Sequence, residues 1–181
     1  QDPDMNSLMT LGEPIGKLLK QRRETLAVCE SSMAGLLSAA LVSVPGASAY
    51  FLGSTVVYTL ESRRQFLAIT DETMKSTRSA TEEYALLCAH SIHTSLGGTW
   101  ALAETGATGP ASNPYKDPPG TAWIAVTGPI ERTLKISTGH NRREENMWQF
   151  AEAALGLLEE CLREQCLLEE GAIERATTGK K

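Results

Sequence analysis

Two serines and a carboxylate stand where this chain could do chemistry. Glu30-Ser31-Ser32 lies between a short apolar run, Leu26-Ala27-Val28-Cys29, and a segment from Met33 onward with helical spacing. The run suits a buried strand, so the hydroxyls fall on the turn where a strand hands over to a helix. In α/β proteins ligands bind at that edge, because a helix N-terminus presents unpaired N–H groups to an anion. A serine there either caps the helix or acts as a nucleophile, and the local residues leave both readings open. Glu30 either contacts ligand hydroxyls or bonds backbone N–H groups. Farther on, a β-branched and aromatic strand over residues 50–58 ends on Tyr58, and a helix starting near Glu61 carries Arg63 about one turn beyond it. Thr105-Gly106-Ala107-Thr108-Gly109-Pro110 follows another apolar run, and so small a turn lets backbone approach a ligand closely. Glu104, just before it, either contacts a ligand or faces water at a sheet edge.

These residues need elements to position them. Leu8, Leu11, Ile15, Leu18 and Leu19 recur at helical spacing up to Arg23, and Pro14 is expected to split off the first turn. A strand to Cys29 and a helix over residues 32–44 follow, stopped by Pro45-Gly46. After the strand ending at Tyr58 and the helix carrying Arg63, helical spacing resumes over residues 80–96 and ends at Gly97-Gly98. Residues 99–105 read as a buried strand, 111–119 as a polar loop rich in Pro, and 120–126 and 132–137 as an antiparallel strand pair turning at Gly128-Pro129. A long helix over residues 142–166 closes the fold. The expected class is α/β, a three-layer α/β/α sandwich with a mixed sheet of about five strands. Residues 1–4 read as an expression remnant, 6–166 as one domain, and 167–181 as a disordered tail.

Bulk composition narrows the function. The chain has 181 residues, 41% of them hydrophobic, which suits a single domain with a proper core. A net charge of −5 argues against a nucleic-acid partner. No apolar run reaches the ~18 residues needed to span a bilayer and no leader pattern is seen, so no membrane is expected and a cytoplasmic location is the default. Cys29, Cys88, Cys161 and Cys166 show no metal-type spacing and read as reduced thiols. His90 and His93 lack a third ligand nearby in sequence and read as ordinary helix residues, while Trp100, Trp123 and Trp148 read as core or subunit contact. Neither a P-loop nor a Gly-x-Gly-x-x-Gly motif is present.

Five stretches in order resemble one family. Glu30-Ser31-Ser32-Met33-Ala34-Gly35 resembles the Glu-Ser-Cys-Thr-Gly-Gly motif of the CinA C-terminal domain family, the nicotinamide mononucleotide deamidases. Residues 44–51 are similar to its Val-Pro-Gly-Ala-Ser run, 53–64 to its Gly-x-x-Val-x-Tyr-Ser-Asn-x-x-Lys segment, 105–110 to its Thr-Gly-Ile-Ala-Gly-Pro loop, and 119–126 to its Val-Gly-Thr-Val-Trp strand. The resemblance runs from about Leu11 to Leu162.

The resemblance implies an amidohydrolase that converts the carboxamide of nicotinamide mononucleotide to a carboxylate, releasing ammonia, without metal or cofactor. It implies Ser31 as nucleophile, with Tyr58 and Arg63 completing the catalytic set. Glu30, Ser32, Thr105, Gly106, Ala107, Gly109 and Arg142 would bind substrate, with one residue of ambiguity between Arg142 and Arg143. A homo-oligomer, a dimer or larger, is the implied assembly. Amide cleavage asks for an activated oxygen, donors for the tetrahedral oxyanion and a proton for the departing amine. The sequence departs from the family at Ser32, Met33 and Ala34, at Thr59-Leu60, and at Arg63, where relatives carry a lysine; a buried lysine can become neutral and accept a proton, whereas arginine keeps its charge. Two substitutes for the missing base are Tyr58, helped by the Arg63 charge, and His140 in the loop before the last helix. The alternative function is a catalytically impaired nucleotide-binding module of the same fold.

Overall fold

The structure, a computed structural model, describes residues 7–178, so the expected remnant at 1–4 lies outside it. Five strands form one mixed sheet in the order β2-β1-β3-β4-β5: β1 (Leu26–Glu30), β2 (Phe51–Val56), β3 (Trp100–Ala107), β4 (Thr121–Thr127) and β5 (Arg132–Ser137). β1 runs parallel to both β2 and β3, while β3, β4 and β5 are antiparallel in succession. Side chains alternate across β1 and divide the core in two. Leu26 and Val28 pack with Trp100, Leu102 and Ile124 under α1 (Leu8–Arg22), α2 (Leu36–Val42) and α5 (Arg143–Thr178). Ala27 and Cys29 face the other way, with Ala101 and Ala103, under α3 (Leu60–Leu67) and α4 (Glu82–Leu96). That is the expected three-layer sandwich. The core helices cross closely where a Cβ on Gly12 of α1 would lie 2.1 Å from the Ala40 carbonyl oxygen of α2.

Three local expectations are corrected. Pro14 does not split α1; the helix runs through it, because burial of Gly12, Ile15, Gly16 and Leu19 on one face outweighs the hydrogen bond that proline cannot donate. The tail expected to be disordered is helical as far as Thr178, since α5 continues without a break. Strong helix formers in that stretch, and the Arg22–Glu169 ion pair back to α1, support the extension. α2 starts at Leu36 rather than near Ser32, for a reason that belongs to the site itself.

Cys29, Cys88 and Cys161 are buried free thiols and Cys166 is half-buried. Among the described residues, no helix is long and apolar enough to cross a membrane.

Candidate functional site

The three parallel strands end on the same side of the sheet, and each delivers functional residues there. Ser31 and Ser32 follow β1, Tyr58 follows β2, and Thr105 to Gly109 form the end of β3 and the loop after it. Around them lies a cavity of about 570 Å³, whose wall is completed by Arg63 of α3, Tyr84 of α4, Arg143 at the start of α5, and Asn113 and Tyr115 of the polar loop. The volume suits a small-molecule ligand. Ser31, Tyr58 and Arg63, predicted as the catalytic set, therefore face one space, joined by the predicted Ser32, Thr105, Gly106, Ala107 and Gly109.

The turn after β1 is held by two buried carboxylates. Glu104 Oε2 accepts from the Ser31 and Met33 backbone N–H groups at 3.0 and 3.2 Å, and Oε1 from the Ser32 N–H at 3.2 Å and from the Ser32 hydroxyl. Glu30 accepts from the N–H groups of Gly35, Leu37 and Ser38 at 3.0, 2.9 and 3.1 Å and from the Ser38 hydroxyl. With N–H groups 31–33 turned toward a carboxylate on a neighbouring strand, the chain does not coil there, and the helix waits until Leu36. Of the alternatives left open by the sequence, the capping reading fails for both serines, and Glu30 takes the backbone-bonding one. Neither Ser31 nor Ser32 caps α2: Gly35 is the N-cap, at φ +101°, and the Glu30 carboxylate serves the orphan N–H groups of the first turn. Glu30, expected to bind substrate, is buried, bonded to backbone N–H groups and not among the residues lining the cavity. Glu104 is neither at a water-facing edge nor among the residues lining the cavity; it is 1% exposed beneath the turn. Burial pushes the Glu104 carboxyl above its ordinary value, and the Ser32 hydroxyl and the backbone donors pull it partly back. Ser32 lines the cavity but has its hydroxyl engaged by Glu104, which leaves Ser31 as the hydroxyl on this turn with only its backbone tied down.

Two guanidinium groups set the charge of the cavity. Arg63 is 3% exposed, with Nη2 paired to Asp71 and Nε buried without a partner among the described residues. Thr59 caps α3 by accepting from the Ser62 N–H, which fixes the first turn on which Arg63 sits. Arg143, and not the predicted Arg142, is the second: its Nη1 donates to the Gly109 carbonyl at 2.6 Å and its Nη2 to the Tyr58 hydroxyl at 3.1 Å. Arg142 is turned outward onto Glu145. Neither Asp nor Glu is among the residues lining the cavity, so the Arg63–Asp71 pair is the acidic contact of these two cations and it lies outside the lining. Tyr58, 64% exposed, thus has Arg143 beside it rather than the expected Arg63. Burial pushes the Tyr84 phenol well above its ordinary value, so it keeps its proton.

His140, weighed as a base, is not among the lining residues; its ring accepts from the Arg142 N–H and lies 3.3 Å from Gln149. His90 pairs with Glu131, and His93 contacts the Gly98 carbonyl. Sequence reasoning missed Tyr84, which lies on an apolar stripe like any core residue, and Tyr115, whose loop is clasped by Arg78 donating to Asp117 at 2.6 and 3.0 Å.

The CinA C-terminal domain family matches residues 8–162. A CinA-like protein of Desulforapulum autotrophicum is 31% identical over 166 residues, 91% of this chain and 38% of the relative. A CinA-like protein of Cytophaga hutchinsonii is 34% identical over 156 residues, 86% of this chain and 37% of the relative. The chain thus spans about 38% of the length of the curated relatives it matches. Among solved structures, the competence damage-inducible protein A (ComA) of Klebsiella pneumoniae superposes with a TM-score of 0.81 at 24% identity, over 87% of this chain and 98% of that one. The competence/damage inducible protein CihA of Agrobacterium tumefaciens gives 0.78 at 24% identity, over 90% and 99%. Both share the fold.

Proposed function

This chain belongs to the CinA C-terminal domain family, and from that premise we propose that its cavity is a deamidase-type site for nicotinamide mononucleotide, with Ser31 as the nucleophile. The observation that carries the proposal is the pairing of a serine on a tightly held turn with two guanidinium groups in a cavity whose lining has no carboxylate. A nucleotide monophosphate matches that charge, with Arg143 to hold its phosphate oxygens and Arg63 to face its ring substituent. Ser31 Oγ then attacks the carboxamide carbon, the C–O bond forms, and the carbonyl electron pair moves to oxygen. As that intermediate collapses, the C–N bond breaks with its electron pair on nitrogen, the Tyr58 hydroxyl gives its proton to that nitrogen and takes the Ser31 Oγ proton in exchange, and ammonia leaves; Arg143 donates to the phenol oxygen, so the phenol's own O–H is turned elsewhere. Water cleaves the resulting ester and returns Ser31. Glu104 acts through the backbone of the turn and positions the serine.

A specific observation favours a second reading, binding without appreciable turnover. The ionisable groups lining the cavity are two arginines and three tyrosines, and none of these is a ready base for Ser31 near neutral pH. Ammonia release from nicotinamide mononucleotide by the purified protein supports the deamidase, whereas thermal stabilisation by that nucleotide without ammonia supports the binding module. The Arg63→Lys variant separates the two further. A lysine that creates activity absent from the parent marks a retired enzyme; a lysine that lowers existing activity gives Arg63 a role of its own.

A further inference from the structure

We infer that Arg63 tunes this cavity toward a ligand with two separated anionic groups, a phosphate and a ring carboxylate, so that nicotinate mononucleotide binds more tightly than its carboxamide. The inference rests on the reading of the cavity as a pyridine mononucleotide site. A guanidinium offers five N–H groups. In Arg63 only Nη2 has a partner among the described residues, Asp71, and Nε is buried with none. Asp71 is itself shared: Arg64 donates to it from Nε and Nη2 at 3.1 and 2.8 Å, so this exposed carboxylate divides its charge between two arginines. A side chain that is 3% exposed, cationic and so poorly matched is unfavourable until an acceptor reaches it from the cavity it lines.

The chemistry of the acceptor follows from the donor. Two guanidinium groups stand in a cavity whose lining has no acid, and the phosphate of a mononucleotide compensates one of them. Toward the other, a carboxamide offers one neutral oxygen and an N–H2 group that meets N–H donors unfavourably. A carboxylate offers two anionic oxygens in the fork geometry that a guanidinium matches. The product of amide hydrolysis is therefore the better-paired ligand, and a hydrolase built this way is restrained by its own product.

Calorimetric titration of the full chain with nicotinate mononucleotide, nicotinamide mononucleotide and inorganic phosphate tests this. The expected order is nicotinate mononucleotide at least ~10-fold tighter than the carboxamide, with inorganic phosphate weakest. In Arg63→Lys the preference for the carboxylate narrows to below ~3-fold, because an ammonium lacks the fork. Equal or tighter binding of the carboxamide by the parent overturns the inference, as does a preference unchanged in Arg63→Lys. Two equally tight mononucleotides would leave the site assignment standing while sinking the role given to Arg63. Binding of neither would remove both.

Discussion

Replacing Glu104 with glutamine asks how much the nucleophile turn depends on one buried carboxylate. In the native turn Oε2 accepts two backbone N–H groups, and Oε1 accepts one N–H and the Ser32 hydroxyl. Glutamine keeps one acceptor oxygen and puts an N–H2 group in place of the other. The less costly orientation sets that N–H2 at the Oε1 position, where the Ser32 hydroxyl can rotate to accept from it and only the Ser32 N–H loses its acceptor. One buried unsatisfied N–H costs about 1–3 kcal/mol. Removing a desolvated charge offsets part of this, and we expect a net loss of about 2 kcal/mol, a fall in Tm of about 4–8 °C for a domain of this size. The pH dependence has a definite sign. Burial raises the folded-state carboxyl above its unfolded value, so its stabilising contribution is complete below about pH 4.3 and is lost as pH rises through the folded-state value. Glutamine does not titrate, so the variant loses that downward slope. Denaturant unfolding of parent and variant between pH 4 and 8 measures both quantities. An unchanged midpoint and an unchanged pH slope would refute the assignment of Glu104 as the anchor of the turn.

Other expectations follow from the same geometry. Arg143→Ala removes one of the two cavity cations and the partner of the Tyr58 hydroxyl, and mononucleotide affinity in a titration should fall about 10- to 100-fold. Gly106→Ala places a Cβ 2.7 Å from both the Ala122 Cβ and the Thr121 carbonyl oxygen, so the sheet must shift; a loss of about 1–3 kcal/mol by chemical denaturation is expected. The Arg78 guanidinium holds the Asp117 carboxyl below its ordinary value, so the clasp on the loop is intact above about pH 3.9 and is lost as pH falls through the folded-state value. Hydrogen exchange in residues 111–119 should accordingly be slow at pH 7 in the parent and faster at the same pH in Asp117→Asn.

The layers of the fold were legible because apolar periodicity reports burial directly. The run 26–29 and the hydrophobic spacing of α1, α4 and α5 carry that signal, and the mixed sheet follows from their order. What stayed hidden were the contacts between segments distant in sequence. Glu104 lies more than 70 residues from the turn it anchors, and only strand pairing of β1 with β3 brings them together. The start of α2 was misplaced for the same reason, since helix signals near Ser32 do not reveal that a distant carboxylate takes the N–H groups. Arg142 and Arg143 differ by one position on a helix start, and the rotation that turns one inward and the other onto Glu145 is set by packing of α5. Arg63, which the family resemblance aims at the pocket, lines the cavity, and there strand, cap and helix are contiguous.

The account depends most on Ser31 being the reacting group, and ammonia release from nicotinamide mononucleotide, compared between the parent and Ser31→Ala, tests it most directly. It predicts slow release by the parent and none by the variant, with the variant still stabilised by the nucleotide in a thermal melt. Equal release from both proteins, or a parent that binds the nucleotide and never frees ammonia, would contradict it.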